Sequence, residues 1–202
     1  MTHVSFGVFR ASVRDPGTTL ASLANRPSFP TPYPSASSSI VRFHREGPDA
    51  AWAELDRTFR TSSYWGRSGT PQAGWADSIR ECFRVYRSLA ESDPRRSFAM
   101  GLNRELVLAP NDMGVYIDVI MLDQSGYVPR LALWDTNELT PARARLYAAP
   151  VWAVMDRELG AGRVAGVEVW QLRSGDRELV RPREAEAALT EVETVVHRVA
   201  GS

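Results

Sequence analysis

Lysine is absent from this chain: all 24 residues counted as lysine or arginine are arginine. Any chemistry that depends on a lysine must therefore use a substitute or has been lost. A GC-rich coding sequence favours arginine over lysine and would account for most of this bias. The absence is informative only where a functional pattern requires a lysine.

Cysteine and histidine are almost as scarce. The single cysteine, Cys82, excludes an internal disulfide and any iron–sulfur cluster held by several cysteines of this chain, and we expect it to be buried. The three histidines, at positions 3, 44 and 197, have no cysteine or histidine neighbours at metal-ligand spacing, which argues against a zinc site. They assemble into no recognisable Ser–His–Asp set, and no Gly-x-Gly-x-x-Gly or phosphate loop occurs.

An excess of charge and long apolar runs are missing as well. The 24 arginines balance 24 acidic residues, so net charge gives no argument for nucleic acid, and a nucleic-acid site has to be a local patch. No apolar stretch approaches the length of a membrane span, and residues 1–14 lack the basic start and apolar run of a signal peptide. We therefore expect a cytoplasmic protein with no membrane partner.

The composition that remains is ordinary for a globular domain, with 44% hydrophobic and 24% charged residues. Residues 4–13 partly alternate apolar and polar positions and predict a strand, and the prolines and serines of residues 15–39 predict an extended segment. We therefore divide the chain into residues 1–40, an N-terminal strand with a Pro/Ser-rich extension, and residues 41–202, a single domain.

Two helices are predicted next, one from residue 48 and a longer one over residues 71–92, because apolar residues recur there at helical spacing. The longer helix carries Arg80, Arg84 and Arg87 on its polar side. We interpret these arginines as a solvated face rather than as a phosphate track.

The centre of the chain changes its hydrophobic period. Short apolar runs over 98–108, 115–122 and 131–134 alternate with turn residues at 111–112 and 124–126. This pattern predicts three antiparallel strands joined by tight turns.

A helix, a strand and a terminal helix complete the predicted order. Thr140 and Pro141 are a helix-start signal, because threonine is a favoured N-cap and proline a favoured first residue. The helix is expected to end near Leu159, followed by a strand over 164–172 and a helix over 184–200. The predicted fold class is α/β or α+β, with a central mixed β-sheet flanked by helices.

Polar residues follow the central strands in a recognisable order. Gly114 precedes Asp118 on one strand, Asp135-Thr136-Asn137 follows the next, and the helix carries Arg143 four residues before Tyr147-Ala148. This order resembles the RecB-type branch of the PD-(D/E)XK nuclease superfamily. The resemblance implies a restriction-endonuclease-like core.

The resemblance gives each of these positions a role. Asp118 and Asp135 match the two metal-binding acids of the family. Asn137 stands where the family has its lysine, and Arg143 stands where it has a glutamine. Upstream, Trp52 stands where the family often has a metal-binding histidine.

Over residues 98–173 the resemblance implies metal-dependent hydrolysis of phosphodiesters. The implied cofactor is Mg²⁺ or Mn²⁺, because such ions prefer oxygen ligands. The implied ligands are Asp118 and Asp135, with Glu105 or Glu138 assisting. Such an ion polarises the phosphodiester and lowers the pKa of the attacking water.

The two changed positions have implied roles of their own. Asn137 would position a water molecule, since an amide donates and accepts hydrogen bonds but carries no charge. Arg143 would contact a phosphate, and as a permanently protonated group it is unsuited to be a general base. The implied partner is nucleic acid, DNA rather than RNA.

Other interpretations of the same residues stay open. The missing lysine and Trp52 favour a protein that kept the fold as a catalytically inactive binding or assembly module for a protein partner. Alternatively, Asp118 faces solvent on an edge strand and residues 135–138 are only a polar turn and helix cap. Trp65, in the predicted loop over 62–70, is the best residue for stacking on a base.

Overall fold

The computed structural model of the protein describes residues 2–24, 33–61 and 75–201. Within these ranges the strands are β1 His3–Val4, β2 Arg96–Leu108, β3 Asn111–Asp123, β4 Gly126–Leu133, β5 Val167–Gln171 and β6 Asp176–Val180. The helices are α1 Phe6–Arg14, α2 Leu20–Ala24, α3 Tyr33–Glu46, α4 Pro48–Thr61, α5 Trp75–Glu91, α6 Pro141–Leu159 and α7 Pro182–Ala200.

The strands form one mixed sheet. β2, β3 and β4 are an antiparallel meander, β4 and β5 pair in parallel, and β6 is antiparallel to β5. A parallel pair needs a crossover connection, which α6 supplies between β4 and β5. The predicted fold class, a central mixed sheet flanked by helices, is confirmed.

The first turn of the meander does not lie where it was predicted. Instead of Asn111 and Asp112, the turn consists of Ala109 and Pro110, and Asn111 already pairs with Leu108. Pro110 has no backbone N–H to donate to a strand ladder, so the strand ends before it.

The start of α6 is confirmed. Thr140 is the N-cap, its hydroxyl accepts a hydrogen bond from the backbone N–H of Arg143 at 3.3 Å, and Pro141 follows. Gly160 ends the helix with φ at 100°, in the region that glycine adopts without a steric penalty. Both ends of this crossover helix are therefore encoded locally.

Helices cover both faces of the sheet. β4 shows the division, because alternate residues of a strand point to opposite faces. Leu131 and Leu133 join the core built with α1, α6 and α7, whereas Ala132 and Trp134 join the core built with α3, α4 and α5. Cys82 is buried in the second core, as predicted, and this burial raises the pKa of its thiol.

The strand predicted over residues 4–13 is wrong. Only His3–Val4 pair with β3, and α1 follows at once. Ser5 caps α1 by accepting a hydrogen bond from a first-turn N–H at 3.3 Å. Phe6 and Phe9, three residues apart, are both buried, which is helical rather than strand spacing.

The Pro/Ser-rich segment is not extended where the structure describes it. α2 and α3 occupy parts of it, and α3 continues through residue 40, where we divided the chain. Residues 25–32 lie outside the described residues, and so does the predicted loop over 62–70 with Trp65.

The outer faces of the helices are polar. On α5 each arginine of the predicted solvated face pairs with a carboxylate within one turn: Arg80 with Asp77, Arg84 with Glu81 and Arg87 with Glu91. These exposed pairs confirm the interpretation of a solvated face. No helix within the described ranges is long and apolar enough to cross a membrane.

A buried ion-pair network joins β4 and β5 to the segment before β2. Arg130 is fully buried and donates to Asp93 at 2.5 Å and to Glu168 at 2.9 Å, while its guanidinium lies 3.6 Å from the Trp170 ring centre. Arg95 donates to the same two carboxylates. Although burial opposes ionisation, the hydrogen bonds from both arginines hold the pKa of Asp93 well below its usual range.

Candidate functional site

The site begins at a gap in the sheet. β2 pairs along almost all of β3, so β1 and β4 have to share the other edge of β3. β1 reaches only Met113, and the pairing of β3 with β4 begins at Val119. Among the described residues, no strand pairs with the edge between these two positions, and Asp118 lies at the end where β4 departs.

Asp118 is buried, with 2% of its surface exposed. Its Oδ2 accepts a hydrogen bond from the backbone N–H of Ala132 at 2.8 Å, in place of a strand carbonyl. Its Oδ1 is buried and has no hydrogen-bond partner of normal geometry among the described residues. The interpretation of Asp118 as a solvent-facing side chain is therefore wrong.

The environment of Asp118 disfavours its charge. Burial raises the pKa of this carboxyl to about 6, although the Ala132 N–H, the nearby Ser37 hydroxyl and the charges of Arg10 and Arg130 act in the opposite direction. A buried carboxylate oxygen without a partner is costly unless a cation or a donor compensates it. Such an atom is a physical reason to expect a ligand.

Asp118 lines a pocket of about 390 Å³, which we call the Asp118 pocket. Its walls come from α1, α3, β2, β3, β4 and the residue after β4: Phe6, Gly7, Arg10, Ser37, Asn103, Tyr116, Asp118, Leu131, Ala132 and Trp134. Two donors on these walls, Arg10 Nε and Trp134 Nε1, are also buried without a partner in the part of the chain that the structure describes. One acceptor and two donors are thus left free around one cavity.

Asp135 lies just beyond β4 in a local turn. Its Oδ1 accepts from the backbone N–H and the side-chain amide of Asn137, both at 3.0 Å. Its Oδ2 pairs with Arg14 of α1 at 3.4 Å. The local geometry is the polar turn of the alternative interpretation, and the sharing of one ion by Asp118 and Asp135 stays a prediction.

Gln171, at the end of β5, supports this turn and was not singled out from the sequence. It is buried, and its amide donates to the Asn137 carbonyl at 2.6 Å and to Asp135 Oδ1 at 3.4 Å. The available signal was a glutamine directly after the apolar pair Val169-Trp170 at the end of the strand. The Asn137 amide is therefore engaged with Asp135, where the resemblance had implied a water.

Arg143 and Glu138 lie on the outer side of the same region. Glu138 is exposed, and Arg143 donates to its backbone carbonyl at 3.0 Å. Tyr147, one turn after Arg143 on α6, is buried, and this burial raises the pKa of its hydroxyl. The charges of Arg10, Arg14, Asp135 and Arg143 also act on that hydroxyl.

Glu105, a predicted metal ligand, lies away from Asp118 along the sheet. It pairs with Gly114 across β2 and β3, and Gly114 is four residues from Asp118, or about 13 Å along the strand. Its carboxylate lies instead with His3 and Asp112, one ligand atom of each being within 4.8 Å of the others. The structure separates Glu105 from Asp118.

The arginines of α1 are the residues that the sequence analysis missed. Arg10 and Arg14, one helical turn apart, face the Asp118 pocket and the Asp135 turn respectively. The capping serine Ser5 and the spacing of Phe6 and Phe9 were the signals for this helix. Trp52, at the position of the family's histidine, packs edge-on against an α5 aromatic ring.

Comparison with known proteins adds one result. No protein-family model matches the chain, and no curated protein is significantly similar to it in sequence. Among solved structures it is similar to one named "Putative exonuclease" from Eubacterium rectale, with a TM-score of 0.54 and 10% sequence identity. The match covers 98% of this chain and 82% of the other. The chain therefore shares the fold of a nuclease-like protein.

Proposed function

We propose that this protein is a metal-dependent nuclease of the RecB-type PD-(D/E)XK kind that hydrolyses phosphodiesters of DNA. The observation that most supports this proposal is the Asp118 carboxylate. It is buried, its Oδ1 accepts no hydrogen bond of normal geometry from the described residues, and it lies in a pocket at a gap between strands. It is also the position that the motif resemblance assigns to the first metal-binding acid. The nuclease-like fold is consistent with this assignment.

The residues fit a hard divalent ion. Mg²⁺ is usually held by one or two carboxylates together with waters and substrate phosphates, so a site built on Asp118 alone or with Asp135 is sufficient. When bound, the ion would polarise the phosphodiester and lower the pKa of the attacking water. Asp118 would be the principal ligand, because its Oδ1 is buried and accepts no hydrogen bond of normal geometry from the described residues.

The chain's own groups have supporting tasks. Asn137 and Gln171 fix the orientation of Asp135 through hydrogen bonds to Oδ1. Arg143, beside the buried Tyr147, would contact a substrate phosphate from the α6 side. In the reaction, the water gives up a proton as its oxygen bonds to phosphorus, the ester bond to the leaving oxygen breaks, and the leaving oxygen takes up one proton.

A cleavage assay tests this function. The wild type, Asp118→Asn and the surface control Arg84→Gln are incubated with end-labelled single-stranded DNA, duplex DNA and RNA, each with Mg²⁺, Mn²⁺ or EDTA. We expect metal-dependent cleavage of DNA by the wild type and the control. Loss of the ligand should slow it at least about 100-fold, since an ion contributes several kcal/mol to the transition state.

The other outcomes are informative. Calorimetric Mn²⁺ binding by the wild type without cleavage of any substrate would favour the inactive binding or assembly module. Cleavage that persists in EDTA or in Asp118→Asn would contradict the proposed site. Faster cleavage of RNA than of DNA would change the substrate, and a cytoplasmic location stays a prediction.

A further inference from the structure

The proposed site lacks the cation that its motif normally supplies. Asn137 replaces the lysine and is neutral, and no lysine exists anywhere in the chain. A transition state that gathers charge on phosphate oxygens is stabilised by a positive group placed beside them. In a chain without lysine, an arginine that faces the Asp118 pocket is the residue able to supply this charge.

Most arginines near the site are already engaged. Arg130 is enclosed in its ion-pair network, Arg14 pairs with Asp135, and Arg143 donates to a backbone carbonyl. Arg10 is different. Its guanidinium lies over the Phe6 ring at 5.5 Å, but it forms no ion pair with any described residue, and its buried Nε has no hydrogen-bond partner among them.

Arg10 and Asp118 face one cavity without touching. Both line the Asp118 pocket, yet no nitrogen of Arg10 lies within the 4 Å of an Asp118 oxygen that an ion pair requires. Two opposite charges held apart across a pocket leave room for a cation beside the carboxylate and an anion beside the guanidinium. A divalent ion beside Asp118 and a phosphate bound between that ion and Arg10 would make the charges alternate in sign across the pocket.

We propose that Arg10, from the N-terminal helix α1, binds the phosphate of a nucleotide whose metal ion is held by Asp118, and so takes the place of the missing lysine. This inference rests on the proposed function. A guanidinium suits the task because its planar fork donates two parallel hydrogen bonds to phosphate oxygens. Helix α1 thereby becomes part of the binding site rather than an N-terminal extension.

Calorimetric titration with thymidine 5′-monophosphate tests the proposal without requiring turnover. The nucleotide is titrated into Mn²⁺-loaded wild type, Arg10→Gln, Arg10→Lys and the control Arg84→Gln, and Mn²⁺ alone is titrated into each. Arg10→Gln should weaken nucleotide binding about 10- to 100-fold, the range expected for a charge-assisted contact. Its Mn²⁺ affinity should stay within about threefold of the wild type, because Arg10 is not a metal ligand.

The variants separate the outcomes. Arg10→Lys should show an intermediate loss, since it keeps the charge but not the fork, and it replaces Arg10→Gln if the latter fails to fold in a thermal melt. Wild-type nucleotide affinity in the Arg10 variants, or a wild type that binds Mn²⁺ but no nucleotide, would overturn the role of Arg10 alone. A wild type that binds no Mn²⁺ would overturn the proposed function as well.

Discussion

Replacing Asp118 by asparagine is expected to make the protein more stable at pH 7, by about 2–3 kcal/mol. The wild-type carboxyl is fully buried, and burial raises its pKa to about 6. In the unfolded chain its pKa is about 3.9, and each unit of difference corresponds to about 1.4 kcal/mol. Asparagine keeps an acceptor for the Ala132 N–H and removes the buried charge. A site that destabilises its own fold is typical of function.

The pH dependence identifies Asp118 as the cause. The pKa of Asp118 is higher in the folded than in the unfolded protein, so binding of this proton stabilises the fold. This stabilisation is complete below about pH 4 and is lost as the pH rises through about 6. The stability difference between variant and wild type should therefore grow over this window and then level off. His44, whose pKa is lowered to about 4 mainly by burial, acts in the opposite direction but is common to both proteins.

Urea unfolding in EDTA at stepped pH measures this difference. EDTA is needed because a bound ion would stabilise only the wild type. An Asp118→Asn protein that is less stable than the wild type at pH 7 would contradict the account. So would a stability difference that does not change between pH 4 and pH 7.

Replacing Arg130 by methionine is expected to lower the free energy of unfolding by about 3–5 kcal/mol, the cost of breaking a buried ion pair from one side. Arg130 has no exposed surface, and its loss leaves Asp93 and Glu168 with Arg95 as their remaining partner in the network. Methionine has a similar volume to arginine, so the loss of stability would come from the missing charge rather than from a cavity. The guanidinium contact with Trp170 is lost as well.

Arg104→Met is the matched control. Arg104 pairs with Glu158, and both side chains are about one-third exposed, so the same substitution should cost less than about 1 kcal/mol. Urea unfolding at pH 7 compares the two variants. Equal losses in both, or a loss below about 1 kcal/mol in Arg130→Met, would show that the network contributes little.

Local signals explain what the sequence predicted. The cap at Thr140, the helix end at Gly160 and the alternating runs of the central strands are encoded by neighbouring residues, and the structure has them. The first turn lies before its predicted position because Pro110, not Asn111, interrupts the hydrogen-bond ladder between β2 and β3. Asp118 could be proposed as a metal ligand because the residues that carry the resemblance lie within this locally encoded region.

The remaining features depend on contacts between distant parts of the chain. Register decides that Glu105 lies opposite Gly114 rather than beside Asp118, and no pattern within one strand fixes that register. The proposed role of Arg10 depends on where α1 docks, about 100 residues away in sequence from the strands it covers. Gln171 joins the site only because β5 pairs in parallel with β4.

The most direct test of the account is anomalous diffraction from crystals soaked in Mn²⁺, because it locates the ion. We predict a manganese peak in the Asp118 pocket, in contact with Asp118 Oδ1, and no such peak in Asp118→Asn crystals. A peak confined to the group of His3, Glu105 and Asp112 would contradict it, and so would crystals with no bound manganese at millimolar concentration.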